Sequence, residues 1–415
     1  MSKYIVKNNG ALHGTVRISG AKNAALPIMA AALLSDGVCV LDDIPDLRDV
    51  SNMIDIINHL GGSVKQLHKN SYEFFCGNIN DFSAPYETAN KLRASFLVMG
   101  PLIAKYGYTK IPLPGGCPIG SRPVDLHLKG FAALGADVSL EHGYAEVKAK
   151  RLHGANIYLD FPSVGATENI MMAACLADGQ TVIANSAVEP EIVDLANFLN
   201  LMGAEITGAG TDSIKISGVK SLLGGNYTII PDRIEAGTFM IAAAITGGKV
   251  RLENVVCDHL KPLSAKLREI GIKAEEGGSS VTVSCENPLH SCDIKTLPFP
   301  GFPTDMQAQL CALMSTVSGT SIITETVFEN RFMHIGELQR MGAKIKLDGR
   351  TAVIDGTSLT GAEVRATDLR AGAALCLAGL CADGVTSVSG TEYVERGYED
   401  FAGKLTSLGA DIQLT

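Results

Sequence analysis

The sequence predicts an α/β protein of two domains, built from six copies of one unit of about 70 residues with apolar helices inside. Two recurring phrases carry that prediction. The first ends an amphipathic helix and turns into a strand. It reads H-L-G-G-S-V at His59–Val64, A-L-G-A-D-V at Ala133–Val138 and L-M-G-A-E-I at Leu201–Ile206. It returns as E-I-G-I-K-A at Glu269–Ala274, R-M-G-A-K-I at Arg340–Ile345 and S-L-G-A-D-I at Ser407–Ile412. The second ends an apolar helix on Gly, as in A-A-C-L-A-D-G at Ala173–Gly179 and L-A-G-L-C-A-D-G at Leu377–Gly384. Gly there fits a helix C-terminus that needs a left-handed residue.

The two helix types have different surroundings. Glu168–Asp178 and Ala371–Asp383 carry hardly a polar stripe, and a helix apolar all round must be buried on every side. Asp49–Leu60 and Glu191–Met202 are amphipathic and can turn one face to water. Between the phrases lie texts that read as hairpins: Ser213–Ser217 with Tyr227–Ile230, and Ala352–Ile354 with Glu363–Ala366. At the N-terminus Tyr4–Lys7 and Thr15–Ser19 read the same way without a preceding helix, while the last copy, ending at Thr415, lacks its hairpin. The first residues are therefore expected to complete the last repeat. One domain then spans residues 22–229, and the other combines 1–21 with 230–415. The chain crosses near Gly20 and Pro231, and the cleft so formed is the expected active site.

Bulk composition narrows the function. With 46% hydrophobic and 19% charged residues, the 415-residue chain reads as a soluble globular protein with ample core. A net charge of -9 argues against nucleic acid or an acidic membrane surface as a general partner. Any anion site must then be a local basic cluster. No apolar run is long enough to span a membrane, and Met1–Ile5 lacks a signal-peptide pattern. The ten Cys show neither C-x-x-C nor His pairing, so no metal and no disulfide framework is expected. Cys175, Cys311, Cys376 and Cys381 sit in apolar helical text as reduced thiols, which points to the cytoplasm.

Aligning the chain with itself brings out the charges. Immediately before or at the start of the buried helices stand Lys22 (G-A-K-N-A-A), Arg93 (A-N-K-L-R-A), Ser163–Asn169 (S-V-G-A-T-E-N) and Arg233 (P-D-R-I-E-A-G). Asp305 (P-T-D-M-Q-A-Q) and Asp368 with Arg370 (A-T-D-L-R-A-G) complete the set. Thr and Asp there can cap, and capping alone is one account of Asp305. Lys22, Arg93 and Arg370 oppose the positive end of the helix dipole, so a bound anion is the expected reason for them. A second set opens the amphipathic helices: Arg48, Arg122, Glu191, Arg331 and Arg396. The expected pocket is poor in acids and rich in Arg, which suits planar carboxylate and phosphate groups. Pro112–His127 (P-L-P-G-G-C-P-I-G-S-R-P-V-D-L-H) is a loop that places Cys117 among glycines, with Arg122 and Asp125 following. On this stretch alone, a surface turn with an incidental Cys remains open beside a functional loop.

Gly20–Ala25, Gly115–His127, Ser163–Thr167, Pro303–Asp305 and Asp368–Gly372 together resemble the enolpyruvyl transferases over essentially the whole chain. The resemblance implies a two-domain inside-out α/β barrel of six βαβαββ repeats, three per domain, with helices inside and sheets outside. It implies transfer of the enolpyruvyl group of phosphoenolpyruvate to the 3′-hydroxyl of UDP-N-acetylglucosamine through a tetrahedral ketal, releasing phosphate. That is the first committed step of peptidoglycan precursor synthesis. It implies no metal or organic cofactor, and phosphoenolpyruvate and UDP-N-acetylglucosamine as small-molecule partners, with no nucleic acid and no membrane insertion. Cys117 corresponds to the family's general acid and the thiol alkylated by fosfomycin, and Asp305 to its candidate base. Lys22, Asn23, Cys117, Arg122, Arg370 and Arg396 correspond to phosphoenolpyruvate contacts. The nucleotide-sugar side corresponds to Asn23, Arg93, Arg122, Pro123, Val124, Asp125, Leu126, Ser163, Val164, Gly165, Asp305, Val327 and Arg331. Two departures stand out: Pro118 follows the Cys where a small residue is usual, and Phe161 occupies a nucleotide-facing position that is basic in some relatives. The sister enzyme acting on shikimate 3-phosphate lacks the Cys loop. A catalytically silent paralogue is expected to have lost Lys22, Cys117, Asp305 or Arg396, and all four are present.

Overall fold

The computed structural model describes residues 2–89, 92–114, 119–120, 124–286 and 288–415. Its repeating unit is clearest in the middle of the chain. Strand Asn156–Tyr158 runs parallel to Gln180–Ala184, with Ile157 opposite Ile183, and the apolar helix Val164–Ala174 makes the crossover between them. Helix Pro190–Leu201 then leads to the antiparallel pair Glu205–Thr207 and Ser213–Ser217, whose second strand returns beside Gln180–Ala184. The same spatial arrangement recurs in the other four-stranded sheets, three of which take one strand from a distant part of the chain. The remaining sheet has three strands, and an isolated parallel bridge from Ser83 to Lys110 stands where the fourth would lie.

The strand texts expected to form hairpins pair differently. Ser213–Ser217 closes one sheet, whereas Gly225–Thr228 runs parallel to Val38–Asp42 in another. Likewise Thr351–Asp355 pairs with Thr320–Thr324, and Glu363–Arg365 with Val385–Ser389. At the N-terminus Lys3–Lys7 inserts between Val385–Ser389 and Asp411–Leu414, completing the last sheet, while His13–Arg17 joins Lys249–Glu253. A period-2 pattern marks a strand but not its partner. The strands ahead of buried helices pair in parallel, and parallel strands cannot be joined by a tight hairpin.

By their contacts the residues fall into two units. Of the described residues, one holds those within 20–114 and 124–230; the other holds 2–19, 119–120 and those within 231–415. Gly20 begins the first stretch and must be Gly, because a Cβ there would stand 1.7 Å from the Asp43 carbonyl oxygen. Each unit has its own continuous apolar core. In the Asp305-containing unit the helices Arg233–Ile245, Gln307–Met314 and Leu369–Gly379 pack on one another and are buried almost throughout. Their sheet strands alternate, as in Lys249–Glu253, where Val250 and Leu252 point inward.

Helix Pro190–Leu201 turns Asn197, Asn200 and Leu201 outward as expected, yet part of its polar set lies inside. Glu191 and Asp194 are buried along with most of its apolar residues, and the Tyr227 hydroxyl donates to Asp194 Oδ1 at 2.6 Å. Burial also pushes the Cys76 and Cys175 thiols up to about 12, so they are inert core groups. Among the described residues no helix is long and apolar enough to cross a membrane.

Asn169 is the polar hub of the other unit. Its Oδ1 accepts from the Gly100 N–H at 2.7 Å, and its Nδ2 donates to Phe96 O at 2.9 Å and to His127 Nδ1 at 3.0 Å. Those bonds make Nδ1 of His127 an acceptor, hence the neutral tautomer with its proton on Nε2. Phe96 meets the same ring edge-on at 5.2 Å. Desolvation, helped by the charge of Arg93, lowers the His127 pKa to about 3. The unfolded chain therefore binds a proton near pH 6.5 that the folded chain refuses until about pH 3. Stability should fall as pH drops through that window, by up to about 1.4 kcal/mol per pH unit from this group. Thermal unfolding between pH 7 and pH 4 tests this: His127→Gln should show a shallower decline than the wild type, and equal slopes would refute the assignment.

Candidate functional site

In the Asp305-containing unit the charged residues converge at the start of one buried helix. A short 3-10 turn, Thr304–Met306, precedes helix Gln307–Met314, and Asp305 lies within it. Asp305 holds neither N-cap position; those belong to Pro303 and Met306. Its carboxylate instead meets two guanidiniums. Arg331 Nη2 lies 2.7 Å from Oδ1, and Arg370 approaches Oδ2 through Nη2 at 3.0 Å and Nε at 3.3 Å. Arg331 is 4% exposed and Arg370 only 2%, so both cations are nearly dry. An opposite charge at each oxygen favours the ionised carboxylate.

The elements that aim these groups are visible. Asp368 caps helix Leu369–Gly379 by accepting from the Arg370 and Ala371 N–H groups at 2.8 and 3.0 Å, which sets Arg370 in its first turn. The Arg370 guanidinium then lies over the Tyr398 ring, 5.2 Å from its centroid. The Tyr398 hydroxyl is held by Gln309 Nε2 at 3.1 Å and shares a hydrogen bond with the Thr238 hydroxyl at 3.0 Å. Arg370 Nη1 is buried and makes no hydrogen bond among the described residues. Arg396 is half-buried just beyond helix Thr391–Val394, and Val327 lies four residues ahead of Arg331.

In the other unit Lys22 opens the apolar helix Lys22–Ala31 and is 7% exposed, with its Nζ 3.4 Å from Asp49 Oδ2. Asp49 lies in the first turn of helix Arg48–His59 and is itself buried. Arg48 and Asn23 are exposed and Arg93 is half-buried at the head of the 3-10 helix Arg93–Val98. Ser163 caps helix Val164–Ala174, accepting from the Ala166 N–H at 3.4 Å. Gly165 backs onto the His127 ring, which a Cβ would approach to 3.2 Å. Val124, Asp125 and Leu126 lie at the start of helix Asp125–Ala133, two of them half-buried and Asp125 exposed. Phe161 is exposed. Cys117, Arg122 and Pro123 lie outside the described residues, as does Pro118.

One expectation needs correcting. The basic clusters are not poor in acids: Lys22 has Asp49 and Arg370 has Asp305, because a dry cation demands a counter-charge from the protein itself. Sequence reasoning also passed over Asp49, Thr304, Glu325 and Tyr398. Glu325 was the most accessible of these, standing in the polar run E-T-V-F-E-N-R ahead of Arg331. His127 and Asn169 gave no local signal, since their roles depend on a contact 42 residues apart.

The family profile of EPSP synthase (3-phosphoshikimate 1-carboxyvinyltransferase) matches residues 6–405. UDP-N-acetylglucosamine 1-carboxyvinyltransferase 1 of Caldanaerobacter subterraneus subsp. tengcongensis is 59% identical over 99% of both chains. UDP-N-acetylglucosamine 1-carboxyvinyltransferase 2 of Carboxydothermus hydrogenoformans is 58% identical over 100% of this chain and 99% of its own. Among solved structures, the enolpyruvyl transferase NikO from Streptomyces tendae superposes with a TM-score of 0.91 at 25% identity, covering 100% of this chain and 99% of that one. An EPSP synthase from Acinetobacter baumannii shares the fold, with a TM-score of 0.80 at 20% identity over 100% and 99% of the two chains. With a repeat of βαβαββ units, buried helices headed by charged residues and relatives this similar along their full length, the chain belongs to the enolpyruvyl transferase family, beside the UDP-N-acetylglucosamine 1-carboxyvinyltransferases.

Proposed function

We propose that the protein transfers the enolpyruvyl group of phosphoenolpyruvate to the 3′-hydroxyl of UDP-N-acetylglucosamine, in the cytoplasm, as the first committed step of peptidoglycan precursor synthesis. The observation that carries the proposal is the Asp305 arrangement. One carboxylate is shared by two nearly inaccessible guanidiniums, one of which keeps a buried, unmade hydrogen bond at Nη1. Such a site attracts a planar, multiply charged anion and offers it a fixed donor. The Asp305 side chain is partly open to solvent, so a substrate hydroxyl can reach its carboxylate and pass it a proton.

The chemistry then divides among residues of both units, which we assign to one active centre. As O3′ attacks C2 of phosphoenolpyruvate, its proton passes to Asp305 and C3 receives a proton from the Cys117 thiol. A phospho-ketal results. Its collapse expels phosphate, which carries off the proton Asp305 took, while C3 gives a proton back to the Cys117 thiolate, leaving the enol ether. Lys22, Arg122, Arg370 and Arg396 hold the phosphate and carboxylate charges through both steps, where dry, preorganised cations are most effective. Asn23, Arg93, Pro123, Val124, Asp125, Leu126, Ser163, Val164, Gly165, Val327 and Arg331 orient the nucleotide sugar. Ser163, Val164 and Gly165 stand at a helix N-terminus, where backbone N–H groups suit a diphosphate.

Phosphate release from phosphoenolpyruvate, measured with UDP-N-acetylglucosamine and separately with shikimate 3-phosphate, tests the assignment. Release with the nucleotide sugar alone is expected; release with the shikimate ester would move the protein to the sister activity. For Asp305 the informative substitution is Asn. Removing the side chain with Ala leaves two buried guanidiniums uncompensated, at about 3–5 kcal/mol. Asp305→Asn should keep nucleotide-sugar affinity in calorimetry while kcat falls on the order of 100-fold, as for loss of a positioned base. Normal turnover would reduce Asp305 to a counter-ion. The thiol is tested separately: fosfomycin, an epoxide phosphonate, should add one molecule per chain by mass spectrometry with UDP-N-acetylglucosamine present. Cys117→Ser should show no adduct, and an adduct that persists there would place the reactive thiol elsewhere.

A further inference from the structure

Glu325 is completely buried at the end of strand Thr320–Thr324, and four donors converge on it. Its Oε1 accepts from the Thr296 hydroxyl at 2.8 Å and from the backbone N–H groups of Val327 at 2.8 Å and Phe328 at 3.2 Å. Its Oε2 accepts from the Thr304 hydroxyl at 2.8 Å. A buried carboxylate is costly unless fully answered by donors, and here both oxygens are. The donors come from three separate segments, so the carboxylate is a knot rather than a local turn. Thr296 ties it further: its Oγ1 accepts from the Thr326 N–H at 2.9 Å, and the Thr326 hydroxyl donates to Thr296 O at 2.6 Å.

The knot leads to Arg331 by two routes. Thr304 Oγ1, having given its proton to Glu325, accepts from Arg331 Nη1 at 2.9 Å. A hydroxyl has one proton, so its donation to Glu325 turns its lone pairs toward the guanidinium. On the other route Phe328, pinned by its N–H to the same carboxylate, lies with its ring 5.3 Å from the Arg331 guanidinium carbon. Arg331 Nη2 then meets Asp305 Oδ1 at 2.7 Å, and Asp305 is the residue next to Thr304. Glu325 thus orients the donor to the Asp305 carboxylate and fixes the segment before it.

We propose that Glu325 is a positioning residue for the Asp305–Arg331 pair and for the Val327–Phe328 turn, acting through the Thr304 hydroxyl and the two backbone N–H groups. It touches no substrate. The proposal rests on the enolpyruvyl-transfer function given above, which would have Val327 and Arg331 orient the nucleotide sugar and Asp305 accept its proton. A misaimed pair should therefore impair both binding and turnover.

The test uses the full chain, with UDP-N-acetylglucosamine and phosphoenolpyruvate as probes, and four proteins. Glu325→Gln keeps the shape but sets an NH2 group against Thr304, which can no longer donate there. Thr304→Val removes the link without touching Glu325, and Thr304→Ser restores the hydroxyl. We expect Glu325→Gln and Thr304→Val each to raise KM for the nucleotide sugar and lower kcat, together cutting kcat/KM on the order of 100-fold, a loss of the size seen when a positioned catalytic group is displaced. Thr304→Ser should recover most of it. A purely structural role predicts lower thermal stability with normal kcat and KM in the folded fraction, and that result overturns the proposal. So does Thr304→Ser as defective as Thr304→Val. A wild type that consumes phosphoenolpyruvate normally while the variants match it overturns the role of Glu325 alone. A wild type that releases no phosphate overturns the function itself, and this inference with it.

Discussion

Two guanidiniums that water barely reaches must be neutralised where they lie, and Asp305 is the carboxylate that meets both. One negative charge against two positive ones leaves that trio with an excess of positive charge in a poorly solvated place. Everything nearby can be understood as managing the excess. Tyr398 offers its ring face to Arg370, and Gln309 and Thr238 hold the Tyr398 hydroxyl so that the ring stays there. Thr304 satisfies one Arg331 nitrogen from the other side. In the proposed function an incoming phosphate or carboxylate supplies the negative charge that this trio lacks.

The architecture explains why the charges gather where they do. A helix buried on every side can carry ionised groups only near its ends, where free backbone donors and acceptors already require polar company. In Lys22–Ala31, Gln307–Met314 and Leu369–Gly379 the polar chemistry accordingly lies in or just before the first turn. Lys22 and Arg370 oppose the dipole of the helices they open, and each answers that conflict with a carboxylate from another element, Asp49 or Asp305. The same constraint produces the hub at Asn169, which sits inside an apolar helix and is tolerated because all its amide positions there find partners.

Much of this was legible beforehand. The Gly-ended helix phrases state their own periodicity, and a 3.6-residue pattern with no polar stripe has one physical meaning, so the α/β class and the buried helices could be read directly. The residues at the helix starts could be found by comparing the repeats. Strand partners could not. Lys3–Lys7 and His13–Arg17 are adjacent in sequence and similar in pattern, yet one completes the last sheet and the other joins Lys249–Glu253. Nor could the buried role of Glu191 and Asp194, which look like the wet face of an amphipathic helix until Tyr227 is placed beside Asp194.

By itself the sequence determined which segments are helices and strands, which helices are dry, and which charged residues stand at their starts, because all three follow from local spacing and the cost of burying polar groups. Only the tertiary structure decided what those charges face. Whether Asp305 caps a helix or bridges Arg331 and Arg370, whether Lys22 has a counter-ion, and whether Glu325 is a solvated acid or a knot of four hydrogen bonds all depend on distances between residues far apart in the chain. No local pattern encodes those distances, since they are set by how the sheets close around the helices.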